Sequence, residues 1–140
     1  SGKLNVGLSV RVSNKYFVIF LEANIIIYSF TKRYGDLREA ITLQNGNLAC
    51  SEIVRLEVMG FRNLSVEEIR VFQEYFVGLV VVPITSQVID KAIELRQRKA
   101  IKSPDAIIAA TVLTAGGELW TNNEADFSWI VNLRWHNPIR

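Results

Sequence analysis

The sequence predicts an α/β protein whose mostly parallel central sheet lies between layers of helices. Three observations lead there. Short runs of aromatic and β-branched residues, "KYFVIFLE" and "GLVVVPI", lack polar alternation, as strands covered on both faces do. Longer segments between the strands carry apolar residues at spacings of three and four. The two kinds alternate along the chain, which implies βαβ crossovers and places functional sites where the strands finish.

The elements follow in order. "SGKLNVGLSVRVSNK" has no continuous apolar run before "SNK" and is read as carrying no secretory signal, with the cytoplasm as the expected location. Residues 1–14 are taken as an N-terminal extension or cloning remnant, and 15–140 as one domain. "KYFVIFLE" is the first strand. "DLREAITLQNG" is a helix with Asp36 as N-cap and Asn45-Gly46 as its stop. "GNLAC" is a short strand announced by glycine. "SVEEIRVFQEYFVG" pairs Ser65 with Glu68 as a capping box ahead of Ile69, Phe72 and Phe76. "GLVVVPI" is the next strand, and "SQVIDKAIELRQRK" a helix with Val88, Ala92 and Leu95 inside and basic residues at its C-terminus. In "SPDAIIAATVLTAGG", Ser103 caps, Pro104 takes the first helical position and Gly116-Gly117 ends the helix. "GELWT" and "VNLRWHNP" complete the sheet, the latter as an edge strand stopped by Pro138.

Composition narrows the class. At 140 residues and 49% hydrophobic, the chain has material for one core. Its apolar runs fall short of the roughly 20 residues a membrane-spanning helix needs. A single cysteine, Cys50, excludes an internal disulfide and a cysteine zinc cage, and is expected to pack as a small hydrophobe. A lone histidine, His136, excludes two-histidine metal motifs and a histidine-pair ribonuclease mechanism, and is expected at the surface.

Four of the fourteen acids stand out by position. Glu22 ends the first strand, just before Asn24. Glu57 sits in "EIVRLEVMG", with little polar surface around it. Asp105 opens a helix that is apolar nearly all round, and Asp126 follows the "GELWT" strand. Each also has a purely structural explanation, from strand-end charge to helix-dipole partner to turn former. Together, however, three of them fall on one edge of a parallel sheet. Two carboxylates about 4 Å apart repel by roughly 4 kcal/mol at an effective dielectric near 20. A hard divalent cation removes that penalty, and an all-oxygen donor set points to Mg²⁺ or Mn²⁺. Such a site activates water and neutralises a phosphodiester transition state.

In this order and at these distances, "YFVIFLEANIIIY", "SEIVRLEVMG", "SPDAIIAATVL" and "LWTNNEADF" resemble the PIN domain, specifically the small VapC-type toxins of bacterial and archaeal toxin–antitoxin pairs. The resemblance covers residues 15–140. It implies a three-layer α/β/α fold, metal-dependent endoribonuclease activity on single-stranded RNA, a homodimer, and an antitoxin partner that blocks the site. By position it makes Glu22, Glu57, Asp105 and Asp126 the four acids, with Asn24 beside the first and Thr121 and Asn123 as polar residues before the last. Glu22, Asp105 and Asp126 are then expected to ligate Mg²⁺ or Mn²⁺, Glu57 to ligate or to orient a water, and Thr121 to position a water or a ligand. One departure stands out. The family's first acid is typically aspartate in a D-x-N motif, and the extra methylene of Glu22 moves the carboxylate by roughly 1.5 Å, on a scale where about 1 Å costs around 100-fold in rate.

If four acids gather around metal, the remaining ten face sixteen lysines and arginines, which favours a phosphate partner. Arg96, Arg98, Lys99 and Lys102, just before Asp105, form the obvious patch, although a solvated helix end explains them equally well. Trp120, Trp129 and Trp135 offer faces for base stacking, with core or dimer packing the favoured reading. A rival reading, a non-catalytic PIN-like module that binds RNA or protein, follows from Glu22 as a degenerate site. A receiver-type phosphorylation domain is set aside, because Asp105 opens a helix and no lysine follows "GELWT".

Overall fold

A computed structural model describes residues 3–4, 10–11, 18–44 and 46–139. Within the stretch set aside as an extension, β1 (Lys3–Leu4) and β2 (Val10–Arg11) pair antiparallel. The domain proper contains β3 (Ile19–Leu21), β4 (Leu48–Ser51), β5 (Val80–Val82), β6 (Glu118–Trp120) and β7 (Arg134–His136), all parallel in the order β5-β4-β3-β6-β7. Helices α1 (Ala23–Ser29), α2 (Gly35–Thr42), α3 (Glu52–Met59), α4 (Val66–Val77), α5 (Ser86–Arg98), α6 (Ser103–Ala115) and α7 (Glu124–Phe127) cover the sheet. Helix α1 packs on α2 and α3, and α3 on α4; α5 packs on α6 and α6 on α7, and α3 also meets α6. The fold is a three-layer α/β/α sandwich, as the alternation of patterns predicts.

Central strand β3 is buried at every residue, and β6 beside it likewise. Burial on both faces explains why β3 reads as an unbroken apolar run. The capping box forms as expected, Glu68 N–H donating to Ser65 Oγ and Ser65 N–H to Glu68 Oε1. Phe72 and Phe76 enter the core, and the Phe30 ring meets both Phe72 and Tyr75 edge-on. Cys50 is fully buried, which pushes its thiol up to about 12 and leaves it inert.

Several expectations need correction. "ANIII", which the sequence pattern assigns to no element, forms helix α1: Glu22 turns the chain as an N-cap in extended conformation, and Ala23, Ile25 and Ile26 are buried while Asn24 faces solvent. Strand β5 lies at the sheet edge with Val80 exposed, so "GLVVVPI" is half-covered rather than covered on both faces. The N-cap of α2 is Tyr34, since the 3-10 turn Lys32–Tyr34 runs straight into the helix and leaves Asp36 in its first turn. Asn45 lies outside the described residues. Lys102, not Ser103, is the N-cap of α6, and the Ser103 hydroxyl accepts from Arg96 Nη1 instead. His136 is half-buried, its ring 5.2 Å from that of Trp120.

Gly116 ends α6 at φ 81°, a left-handed conformation that glycine adopts freely. The next residue, Gly117, has a different constraint: a Cβ there would meet Val18 O at 2.5 Å and the Phe20 ring at 2.9 Å. Gly35, by contrast, has open space around its Cα. Gly117→Ala should therefore destabilise by about 1–3 kcal/mol, while Gly35→Ala should be neutral or stabilise by up to about 1 kcal/mol. Urea unfolding of the two variants checks this, and equal midpoints would contradict the close approach of β3 to the α6–β6 turn.

Candidate active site

Parallel strands deliver their ends to one edge, and the acids collect there. Glu22 follows β3 directly. Its N–H bonds Trp120 O at 3.1 Å, continuing the ladder to β6, and its carbonyl accepts from Ile25 and Ile26 to start α1. This ties the backbone on both sides and leaves the side chain, 5% exposed, beside the end of β6. There the hydroxyl of fully buried Thr121 donates to Glu22 Oε1 at 2.6 Å while accepting from Asn123 N–H at 2.9 Å. With its lone-pair side engaged by Asn123, the one hydroxyl proton is committed to Glu22.

Burial nevertheless raises Glu22 to about 7, against the lowering effect of Thr121, and the charges of Asp105, Glu57 and Asp126 push it the same way. Asp105 opens α6, whose C-terminus leads to the start of β6, so thirteen residues and roughly 20 Å of helix carry it back to the acid edge. Burial, the charge of Asp126 and a shared hydrogen bond with Asp126 raise Asp105 to about 6, with Lys102 opposing. Half-buried Glu57 on α3 is raised by burial and by Asp105. Asp126 accepts from Asn123 Nδ2 at 2.6 Å. The four acids thus share one electric field, with Thr121 and Asn123 fixing two of them.

Do these residues suit a divalent cation? Their donors are all oxygen, and their mutual repulsion in a buried setting is what a hard cation offsets. Among the described residues no three acids stand close enough to grip one ion as placed. The set fits Mg²⁺ or Mn²⁺ in the kind of donor it offers.

A model of the PIN domain family matches residues 19–130, from β3 through the turn after α7. The chain belongs to the PIN domain family. No curated protein matches it by sequence. Among solved structures, a toxin–antitoxin complex from Klebsiella pneumoniae is similar at 28% identity and TM-score 0.72, covering 86% of this chain and 97% of that one. VapBC2 from Rickettsia felis bound to a promoter DNA fragment shares the fold at 22% identity and TM-score 0.77, over 86% of this chain and 98% of its own. VapBC-1 from nontypeable Haemophilus influenzae does so at 23% and 0.74, over 89% and 100%.

In this PIN domain the other sequence candidates divide. Asn24 is exposed in the first turn of α1, and no bond joins it to the acids. Arg96, Lys99 and Lys102 line a cleft that Asp126 also borders, whereas Arg98 is exposed outside that lining. Trp129, read in sequence chiefly as packing, belongs to the same cleft. The only sequence signal for this is its place three residues after Asp126, whose carbonyl accepts from Trp129 Nε1 at 2.8 Å. No described helix is long and apolar enough to cross a membrane.

Glu22 takes up its proton near 7 in the fold against 4.5 in a free chain. Between those values the folded state binds more protons than the unfolded one. Its stabilising contribution is therefore full below the unfolded pKa and lost as pH rises through the folded one, about 3 kcal/mol in all. In EDTA the protein should lose stability between about pH 5 and about pH 8, and Glu22→Gln should flatten that slope and melt higher at the upper pH. Parallel pH profiles for the two proteins in thermal unfolding would refute the buried, raised carboxylate.

Proposed function

We propose that this PIN domain is the VapC-type toxin of a toxin–antitoxin pair, a metal-dependent endoribonuclease that hydrolyses phosphodiester bonds in single-stranded RNA. The observation that carries the reading is the convergence of four acids, two deeply buried, at the end of a parallel sheet with a cationic cleft alongside. Family membership and the 28% identical toxin–antitoxin complex support it. A cytoplasmic homodimer neutralised by an antitoxin protein completes the reading.

Glu22, Asp105 and Asp126 would hold Mg²⁺ or Mn²⁺, with Glu57 as a further ligand or as the group that orients a water. The cation supplies charge neutralisation for the phosphodiester and a more acidic water. The protein's own contribution is positional. Thr121 aims Glu22 through its hydroxyl proton, Asn123 holds Asp126, and the buried edge keeps bulk water from screening the charges. Lys102, whose charge reaches Asp105, and Lys99 would draw the RNA backbone to the acids.

Glu22 in place of the family's aspartate favours a second reading, a PIN module that holds RNA or protein without cutting. Incubating a mixed single-stranded RNA with the protein in Mn²⁺ or in EDTA separates the two. Cleavage in Mn²⁺ that is lost in EDTA and in Asp105→Asn is expected, with Glu22→Asp within about 100-fold of the parent in either direction. If the protein and Glu22→Asp both bind RNA and neither cuts it, the toxin reading fails and the binding module stands.

A further inference from the structure

Beside the acids opens a cleft of about 440 Å³, lined by Arg96, Lys99, Ile101, Lys102, Asp126 and Trp129 among others. Three cations and an indole face a single carboxylate. The cleft joins two parts of the chain: the last turn of α5 with the link to α6, and the segment from α7 to Trp129. Its volume lies within the roughly 300–1,000 Å³ typical of small-ligand sites.

Two of its members are fixed. Arg96 donates from Nε to Ile101 O at 3.2 Å and from Nη1 to Ser103 Oγ at 3.0 Å, which holds its charge at the rim. Trp129 spends its only hydrogen-bond donor on the Asp126 carbonyl, so what it offers the cleft is its ring. The Lys99 ammonium lies 5.4 Å from that ring's centroid. An exposed ammonium–indole contact is weaker than base stacking on an aromatic face, so a base displaces the lysine, which is then free to meet a phosphate.

We propose that this cleft seats one nucleotide of the RNA next to the scissile bond, its base stacked on Trp129 and its phosphate held by Lys99 and Lys102. The inference rests on the ribonuclease reading and deepens it, because Asp126 borders both the cleft and the acid cluster. Stacking tolerates any base, and no side chain in the lining other than Asp126 accepts hydrogen bonds from a base edge. The subsite therefore sets affinity for single strands rather than a cleavage sequence.

The test uses two readouts. Binding of a labelled short single-stranded RNA to Asp105→Asn protein is followed by anisotropy, and cleavage kinetics are followed in the Asp105 background. Trp129→Leu, which keeps apolar bulk without a ring, should weaken binding at least roughly fivefold and raise KM more than it lowers kcat; Trp129→Phe should recover most of the loss. Lys99→Ala combined with Lys102→Ala should flatten the salt dependence of binding. Unchanged affinity in Trp129→Leu, or a failure of the protein to bind RNA at all, overturns the subsite. Trp129-dependent binding without cleavage by any protein overturns the nuclease reading and leaves the subsite intact.

Discussion

A carboxylate held out of water at the end of the central strand, that of Glu22, is the constraint on which the rest of this structure depends. Its position follows from backbone bonding alone: a ladder bond to Trp120 on one side and the first turn of α1 on the other. The surrounding core of Ile25, Ile26 and Leu21 cannot solvate it. Desolvation wins over the one strong hydrogen bond it receives, which is why its proton is retained to about 7. Such a cost persists only where neighbouring structure imposes it, and raised carboxylates in a shared field mark functional sites more often than structural ones.

A single turn links this carboxylate to Asp126 and Trp129. Thr121 follows β6, is tied by its N–H to His136 O on β7, and donates a hydrogen bond from its hydroxyl to Glu22. Two residues on, Asn123 bonds back to Thr121 through its N–H and forward to Asp126 through its amide. Asp126 in turn fixes the Trp129 ring through its carbonyl. Glu22 and Asp126 of the acid cluster and the Trp129 wall of the cleft are thus joined through one hydrogen-bonded run of nine residues, Thr121 to Trp129. A shift at Thr121 would move the first acid and, through the same chain of bonds, the wall of the cleft.

Much of this was legible in the sequence, for identifiable reasons. Strand β3 and helix α4 announced themselves because local pattern and tertiary role agree: unbroken apolar residues for a doubly covered strand, and Ser65 with Glu68 for a helix start. Helix α1 was hidden because Ile25, Ile26 and Ile27 are β-branched and look like strand until their burial is known. Strand β5 looked doubly covered because an apolar run does not report which face meets solvent. The Ser103 cap failed because a hydroxyl within reach of Arg96 had a competing partner. Glu22, Asp105 and Asp126 could be found from their places at a strand end, a helix start and the turn after a strand, and Glu57 from its place in an otherwise apolar run and from the resemblance. The cleft could not, since Arg96, Lys102 and Trp129 lie on segments whose proximity exists only after α5, α6 and α7 have packed.

The glutamate at position 22 acquires a physical meaning from this geometry. Its side chain spans the gap between neighbouring strand ends and meets the Thr121 hydroxyl at 2.6 Å. An aspartate, shorter by one methylene, would bring its oxygens back toward β3 by roughly 1.5 Å and loosen that bond. The longer residue is therefore aimed by Thr121 at the expense of reach toward the other acids. Its pKa and that of Asp105, about 7 and about 6, place both within range of neutral pH. Any cation bound by these residues competes with their protons, because only ionised carboxylates ligate well. Raising the pH strengthens the grip on a cation while weakening the fold that lacks one, so the stability gained on binding a cation grows as pH rises.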